Sequence, residues 1–158
     1  MIDCYIGIGS NKNNPQQQVE QAILALLDLP ATNLVRRSSW YKGQPVGPIE
    51  QADFVNGVAL IKTTLTPLEL LDALQAIENK QGRVRQQHWG PRTLDLDLLL
   101  YGDQMIAHPR LVVPHIQLKK RRFVLEPLHE ISPELKLPCQ KKISHLLELN
   151  KEKITPII

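Results

Sequence analysis

The order in which the hydrophobic period changes along this chain limits its fold more than any other feature. Cys4, Ile6 and Ile8 alternate with Asp3, Tyr5 and Gly7, the period of a strand with one face buried. Val19, Ala22, Ile23, Leu26 and Leu27 then recur at helical spacing until Pro30 stops the run. A β-rich stretch over 34–41 and a loop marked by Gly43, Pro45, Gly47 and Pro48 lead to a second alternation over 54–63. It puts Phe54, Asn56, Val58 and Leu60 on one face and Val55, Ala59 and Ile61 on the other. Thr66-Pro-Leu-Glu69 is a helix start: Thr can cap, Pro suits the first helical position, and Glu three residues after Thr completes a capping box. Leu70, Leu71, Leu74 and Ile77 form the apolar stripe of that helix, Gln75 and Glu78 lie on a flanking face, and Gly82 ends it. Residues 94–101 read as another strand. The order βαββαβ predicts an α+β fold of the ferredoxin-like kind, with helices packed on a largely antiparallel sheet.

Beyond Gly102 the chain predicts a C-terminal extension of shorter pieces. Met105-Ile106, residues 111–115 and Phe123-Val-Leu125 read as strand-like additions to the sheet, with a basic turn between the last two. A short helix over 143–149 follows, with Leu146, Leu147 and Leu149 available to pack. At 158 residues and 42% hydrophobic content, one domain spanning 1–158 with one continuous core is expected. Two cysteines, Cys4 and Cys139, are too few for a disulfide framework and have no zinc-ligand spacing. No signal peptide or membrane span fits the start, so a cytoplasmic protein is expected. With aromatics at 4% and no run of the RNP kind, a base-stacking RNA-binding sheet is hard to support, and no nucleic-acid or membrane partner is expected.

The net charge of +3 is mild, but Arg83, Arg85 and Arg92 cluster in one loop and Lys119-Lys-Arg-Arg122 in another, which suits a compact polyphosphate. Within Leu94-Asp-Leu-Asp-Leu-Leu-Leu-Tyr101, strand alternation sends Leu94, Leu96, Leu98 and Leu100 into the core and Asp95 and Asp97 to the opposite face. Alone, such a pair fits either a solvated sheet face or a site for a hard cation such as Mg²⁺, which two close carboxylates favour. The loop just upstream, Gln81-Gly-Arg-Val-Arg-Gln-Gln-His-Trp-Gly-Pro-Arg92, decides for the metal. Its guanidinium groups can grip phosphate bidentately, and its length inside a small domain is that of a functional or a disordered loop. By itself it would fit a solvated basic loop with Trp89 packed under it as well, and its adjacency to the aspartates argues for one site. Phe54 and Asn56 share a strand face, where a ring and an amide would suit a flat heterocycle or simply line a core. Gly7-Ile-Gly-Ser-Asn11 is at most a weak phosphate turn and reads more simply as a tight strand-to-helix connection. His115, after Pro114 and near the basic cluster, could touch a phosphate or be structural.

Together these segments resemble the 6-hydroxymethyl-7,8-dihydropterin pyrophosphokinase family of folate biosynthesis. The likeness is carried by Gly90-Pro-Arg-Thr-Leu-Asp-Leu-Asp-Leu98, Tyr5-Ile-Gly-Ile-Gly-Ser-Asn11, Gln75-Ala-Ile-Glu78, Gly82-Arg-Val-Arg85 and Val113-Pro-His115. It implies transfer of diphosphate from ATP to a pterin hydroxymethyl oxygen, with two Mg²⁺ ions bridging Asp95 and Asp97 to the triphosphate. By the same likeness, Arg83 and Arg92 join Asp95 and Asp97 in the chemistry. Gln75, Glu78, Arg85, Trp89, Arg92, Leu98, Arg110, His115 and Arg121 surround the nucleotide. Gly43, Gln44, Pro45, Val46, Phe54, Asn56, Trp89 and Phe123 hold the pterin. Phe54 stands where a tyrosine is common, and Val112 and Ile116 replace a hydroxyl and an aromatic of some relatives. A monomer is expected. Two rival readings, a non-catalytic nucleotide- or RNA-binding module and a metal-dependent phosphohydrolase, would use the same basic loop without a pterin acceptor.

Overall fold

The computed structural model describes residues 1–43, 53–82, 93–152 and 154–157. In chain order its elements are β1 (Ile2–Ser10), α1 (Pro15–Leu27), β2 (Thr32–Arg37), β3 (Tyr41–Gly43), β4 (Phe54–Thr63), α2 (Pro67–Lys80), β5 (Asp95–Tyr101), β6 (Ile106–His108), β7 (Leu111–Val113), α3 (Arg122–Ile131), α4 (Ile143–Leu149) and β8 (Thr155–Pro156). The main sheet runs β5-β1-β4-β3-β8, with β2 also on β4. Every pairing within it is antiparallel. Taking β2 and β3 as one interrupted strand, the order is that of the expected βαββαβ core.

Local chemistry explains the helix ends. The Thr66 hydroxyl accepts from the Glu69 amide (3.2 Å) while Glu69 accepts from the Thr66 amide (2.8 Å), closing the capping box. Gly82 follows α2 at φ +88°, a conformation that is cheap for glycine alone. Asn13 and Asn14 carry the turn into α1 at φ 56° and 61°, which Asn tolerates better than most residues. The turn therefore begins after Ser10, and Gly9 and Ser10 are ladder residues paired with Asn56 and Val55, a correction to the turn expected at Gly7 to Asn11.

The sheet is a middle layer. On one side, α1 and α2 seal Cys4, Ile6, Ile8, Ala59, Ile61, Leu94, Leu96 and Leu98 with Val19, Leu26, Leu70 and Leu74. On the other, Tyr5, Val58, Leu60, Leu99 and Leu100 pack with Val124, Leu125, Leu128 and Ile131 of α3 and Ile143 of α4. The expectation that β1 buries one face is thus corrected: both faces are covered at the Tyr5 end.

Three more expectations change. Leu100 does not share the face of Leu96 and Leu98. The register shifts where Tyr5 opposes Leu100 and Ile6 opposes Leu98, so Leu99 is an extra residue and both Leu99 and Leu100 join the second cluster. Phe123-Val-Leu125 is the first turn of α3, because Val124, Leu125, Leu128 and Ile131 recur at helical spacing across Pro127. Finally, β6 and β7 form a separate hairpin instead of extending the sheet. In α4 Leu146 is buried but Leu149 is exposed. Both cysteines are free, Cys4 buried and Cys139 exposed. Among the described residues no helix is long and apolar enough to cross a membrane.

Candidate active site

Three rows of residues cross β4, β1 and β5 on the α3 side of the sheet. Leu60, Tyr5 and Leu100 form an apolar row, Val58, Gly7 and Asp97 a mixed one, and Asn56, Gly9 and Asp95 a polar one. The face therefore turns from core to site over four residues of β1. Asp95 and Asp97 lie on it two residues apart, about 7 Å along the strand. Both are half-buried.

From the other side of β5, Glu78 of α2 reaches the strand between them. Its carboxylate, only 3% exposed, accepts the Leu96 amide at 2.7 Å. Among the described residues β5 is the last strand on this side of the sheet, and this charge-assisted bond satisfies an amide on its outer edge. Glu78, expected on a flanking face, is thus a buried support of the aspartate strand.

The row continues at its Asn56 end. A Cβ placed on Gly9 would meet the Asn56 Oδ1 at 2.7 Å and the Phe54 ring at 3.8 Å. One on Gly43 would meet the Asn56 Nδ2 at 3.6 Å and the Phe123 Cβ at 3.8 Å. At position 9 any side chain would therefore push the Asn56 amide aside. Asn56 is 6% exposed, and among the described residues its side chain has no hydrogen-bond partner, which costs free energy unless a ligand supplies one. Phe54 and Phe123, which line the same two glycines, are half-buried.

His115 closes the opposite end. Its amide donates to the Leu99 carbonyl (3.0 Å), and its Nδ1 accepts from the Gln117 amide (3.2 Å). The proton of the neutral ring then belongs on Nε2, which lies 3.8 Å from Asp97 Oδ1. Burial holds its pKa below the ordinary histidine value; Asp95 opposes that shift and Arg121 adds to it. Arg121, just before α3, has its guanidinium carbon 5.9 Å from the Phe123 ring centre.

The fold thus gathers Asp95, Asp97, His115, Arg121, Phe123, Gly43, Phe54 and Asn56. Two expected nucleotide residues stand apart from this chain of contacts. Arg110, at the β6–β7 turn, is ion-paired with Asp72 of α2. Leu98 has its side chain in the core on the α1 side, leaving only its backbone for a ligand. Gln75 is half-buried on α2. Arg83, Arg85, Trp89 and Arg92, and Gln44, Pro45 and Val46, lie outside the described residues. Sequence reasoning missed Gly7 and Gly9 as members of the site face. Their spacing of two, matching that of Asp95 and Asp97, was the available signal.

Among the described residues no group of three or more His, Cys, Asp or Glu is placed to hold a metal ion. The donor set is two carboxylates opposite glycines, which fits Mg²⁺, an ion that keeps several waters and takes other oxygens from substrate phosphates.

Comparison with known proteins identifies the family. The family described as 7,8-dihydro-6-hydroxymethylpterin-pyrophosphokinase (HPPK) matches residues 5–133. The 2-amino-4-hydroxy-6-hydroxymethyldihydropteridine pyrophosphokinase of Haemophilus influenzae is 51% identical over 148 residues, covering 94% of this chain and 92% of that protein. The Pseudomonas aeruginosa protein of the same name is 52% identical over 143 residues, covering 90% and 88%. Plasmodium falciparum HPPK-DHPS, crystallised with pteroate, superposes with a TM-score of 0.74 at 14% identity over 94% of this chain. This chain spans 42% of that longer one, and the likeness concerns the fold alone. By the extent of the family match and the identity to these relatives, the chain belongs to the 7,8-dihydro-6-hydroxymethylpterin-pyrophosphokinase family.

Proposed function

We propose that this enzyme moves diphosphate from ATP to the hydroxymethyl oxygen of 6-hydroxymethyl-7,8-dihydropterin, releasing AMP, as a step of folate biosynthesis, and that it works as a cytoplasmic monomer of one domain. The carrying observation is the row Asn56–Gly9–Asp95. It sets a buried amide with no partner among the described residues, with Phe54 two residues before it on the same strand, across one glycine from the carboxylate of Asp95.

In this reading Phe54 and Phe123 stack on the pterin, and Asn56 supplies a donor and an acceptor to its edge, assisted by the backbone of Gly43, Gln44, Pro45 and Val46. Asp95 and Asp97 hold two Mg²⁺ ions, which when bound would neutralise the triphosphate and ease attack at the β-phosphorus. His115, neutral at pH 7, offers its Nε2–H at the aspartate end without adding a charge. Arg83 and Arg92 stabilise charge developing on the transferring group. Gln75, Glu78, Arg85, Trp89, the Leu98 backbone, Arg110 and Arg121 surround the nucleotide. Glu78 contributes chiefly by fixing the Leu96 amide, and Arg110 would have to leave Asp72 to serve.

Incubation with ATP, Mg²⁺ and 6-hydroxymethyl-7,8-dihydropterin should give AMP in step with pterin diphosphate. Release of inorganic phosphate or AMP without the pterin would overturn the proposal in favour of a hydrolase. A single species of the chain mass in sedimentation would support the monomer.

A further inference from the structure

We infer that Glu130 is a positioning residue for the pterin slot: it fastens the face of α3 that carries Phe123 to the strand that carries Gly43, and so fixes the gap between these two walls. The inference rests on the slot proposed above.

Glu130 stands near the C-terminal end of α3, and its carboxylate collects three donors from the segment leading into β3. The Ser39 amide reaches its two oxygens at 3.1 and 2.9 Å, the Ser39 hydroxyl donates at 2.9 Å, and the Tyr41 hydroxyl at 2.6 Å. These donors lie about 90 residues away in sequence, and a surface glutamate is ordinarily left to water. Burial and the neighbouring Glu130 and Glu126 push the Tyr41 phenol far above its usual range, so it keeps its proton and donates.

Phe123 and Glu130 are seven residues apart, two helical turns, and so share one side of α3. At the Phe123 end that side meets Gly43; at the Glu130 end it grips Ser39 and Tyr41. Tyr41 is the cross-strand neighbour of Asn56, and Gly43 that of Phe54. One short strand therefore carries both the clamp and the slot wall. α3 is anchored independently by Leu125, Leu128 and Ile131 in the second core, and by a 2.6 Å hydrogen bond between Tyr5 and Ser132 just beyond it. Loss of the clamp should shift the helix against β3 without releasing it.

Glu130→Gln replaces one acceptor oxygen by an NH₂ group facing donors. The expected result is a rise of about tenfold in KM for the pterin, with KM for ATP and kcat at saturating pterin each within about threefold and little change in the unfolding midpoint. Tyr41→Phe should move pterin KM the same way by about threefold, and it decides the matter if Glu130→Gln does not fold. Fluorescence titration of the pterin in the presence of a non-hydrolysable ATP analogue should reproduce both shifts. Unchanged pterin KM and affinity would overturn the inference, as would an equal change for both substrates or a fall in kcat alone. Phe54→Ala separates the two levels. If it abolishes pterin binding while the Glu130 and Tyr41 variants bind normally, only the role of Glu130 fails; if it leaves pterin binding intact, the slot itself fails.

Discussion

The two faces of the sheet use the same three strands for opposite ends. Toward α1 and α2, the side chains are apolar through the middle of β1, β4 and β5 and just before β5: Cys4, Ile6 and Ile8, Ala59 and Ile61, Leu94, Leu96 and Leu98, with the buried hydroxyls of Ser10 and Thr63 at the strand ends. Toward α3 and α4, the same strands are apolar only at the Tyr5–Leu60–Leu100 end, then pass through Gly7 and Asp97 to Gly9, Asn56 and Asp95. One face stabilises the fold throughout, whereas the other gives up half its length to chemistry. A small domain can tolerate a buried Asn56 amide without a partner among the described residues, beside a pair of carboxylates, because the first face is largely apolar.

That division predicts mutations whose effects separate by face. On the open end, Asp95→Ala or Asp97→Ala should lower turnover by on the order of a thousandfold, about 4 kcal/mol of barrier, with little change in the denaturation midpoint. Near-normal turnover in both variants would break the comparison. On the sealed face, Leu74→Ala should cost about 2–5 kcal/mol of stability in a urea titration while leaving kcat of the folded fraction unchanged. Asn56→Leu sharpens the contrast, since it removes a buried amide that has no hydrogen-bond partner among the described residues. Pterin affinity should fall by about 1–3 kcal/mol while the melting temperature stays level or rises. A lower melting temperature with normal affinity would make Asn56 a structural residue.

The smallest effect belongs to the margin of the sealed face, where Glu20 of α1 takes the Trp40 indole N–H at 2.5 Å and pairs with Arg37 at 2.9 Å. The Arg37 hydrogen bond, against an opposing cost of burial and with help from Trp40 and the Arg37 charge, lowers the Glu20 pKa below its reference of 4.5. A carboxylate with a depressed folded-state pKa stabilises the fold above its unfolded value and loses that contribution as pH falls through the folded one. The melting-temperature gap between the parent protein and Glu20→Gln should therefore be present at pH 7 and close as the pH falls below 4.5 and through the depressed folded-state pKa. A gap independent of pH would remove the ion pair from the account.

Much of this arrangement was legible where a local rule suffices. The capping box at Thr66 and Glu69, the alternation from Phe54 to Thr63 and the shared face of Asp95 and Asp97 follow from spacing alone. What escaped depended on partners. The extra residue at Leu99 exists only relative to β1. Phe123 to Leu125 is too short an apolar run to declare a period, and Pro127 hides the helix that Leu128 and Ile131 complete. Glu78 looked like a helix-flank acid because nothing local shows that it reaches the Leu96 amide, and nothing local ties Glu130 to Ser39 and Tyr41. The family likeness supplied Phe123 and Arg121, whose positions beside Asn56 and His115 no strand or helix period could give.

The most direct test of the two-face account is backbone-amide NMR of the protein titrated with the hydroxymethyl pterin, Mg²⁺ and a non-hydrolysable ATP analogue. Large shifts are predicted at Gly9, Gly43, Asn56, Asp95, Asp97 and His115, with the α1 and α2 positions Val19, Leu26 and Leu74 nearly still. Shifts centred instead on the groove between α1 and α2, at Gln18, Gln21 and Lys80, with the Asn56–Gly9–Asp95 row unmoved, would contradict it.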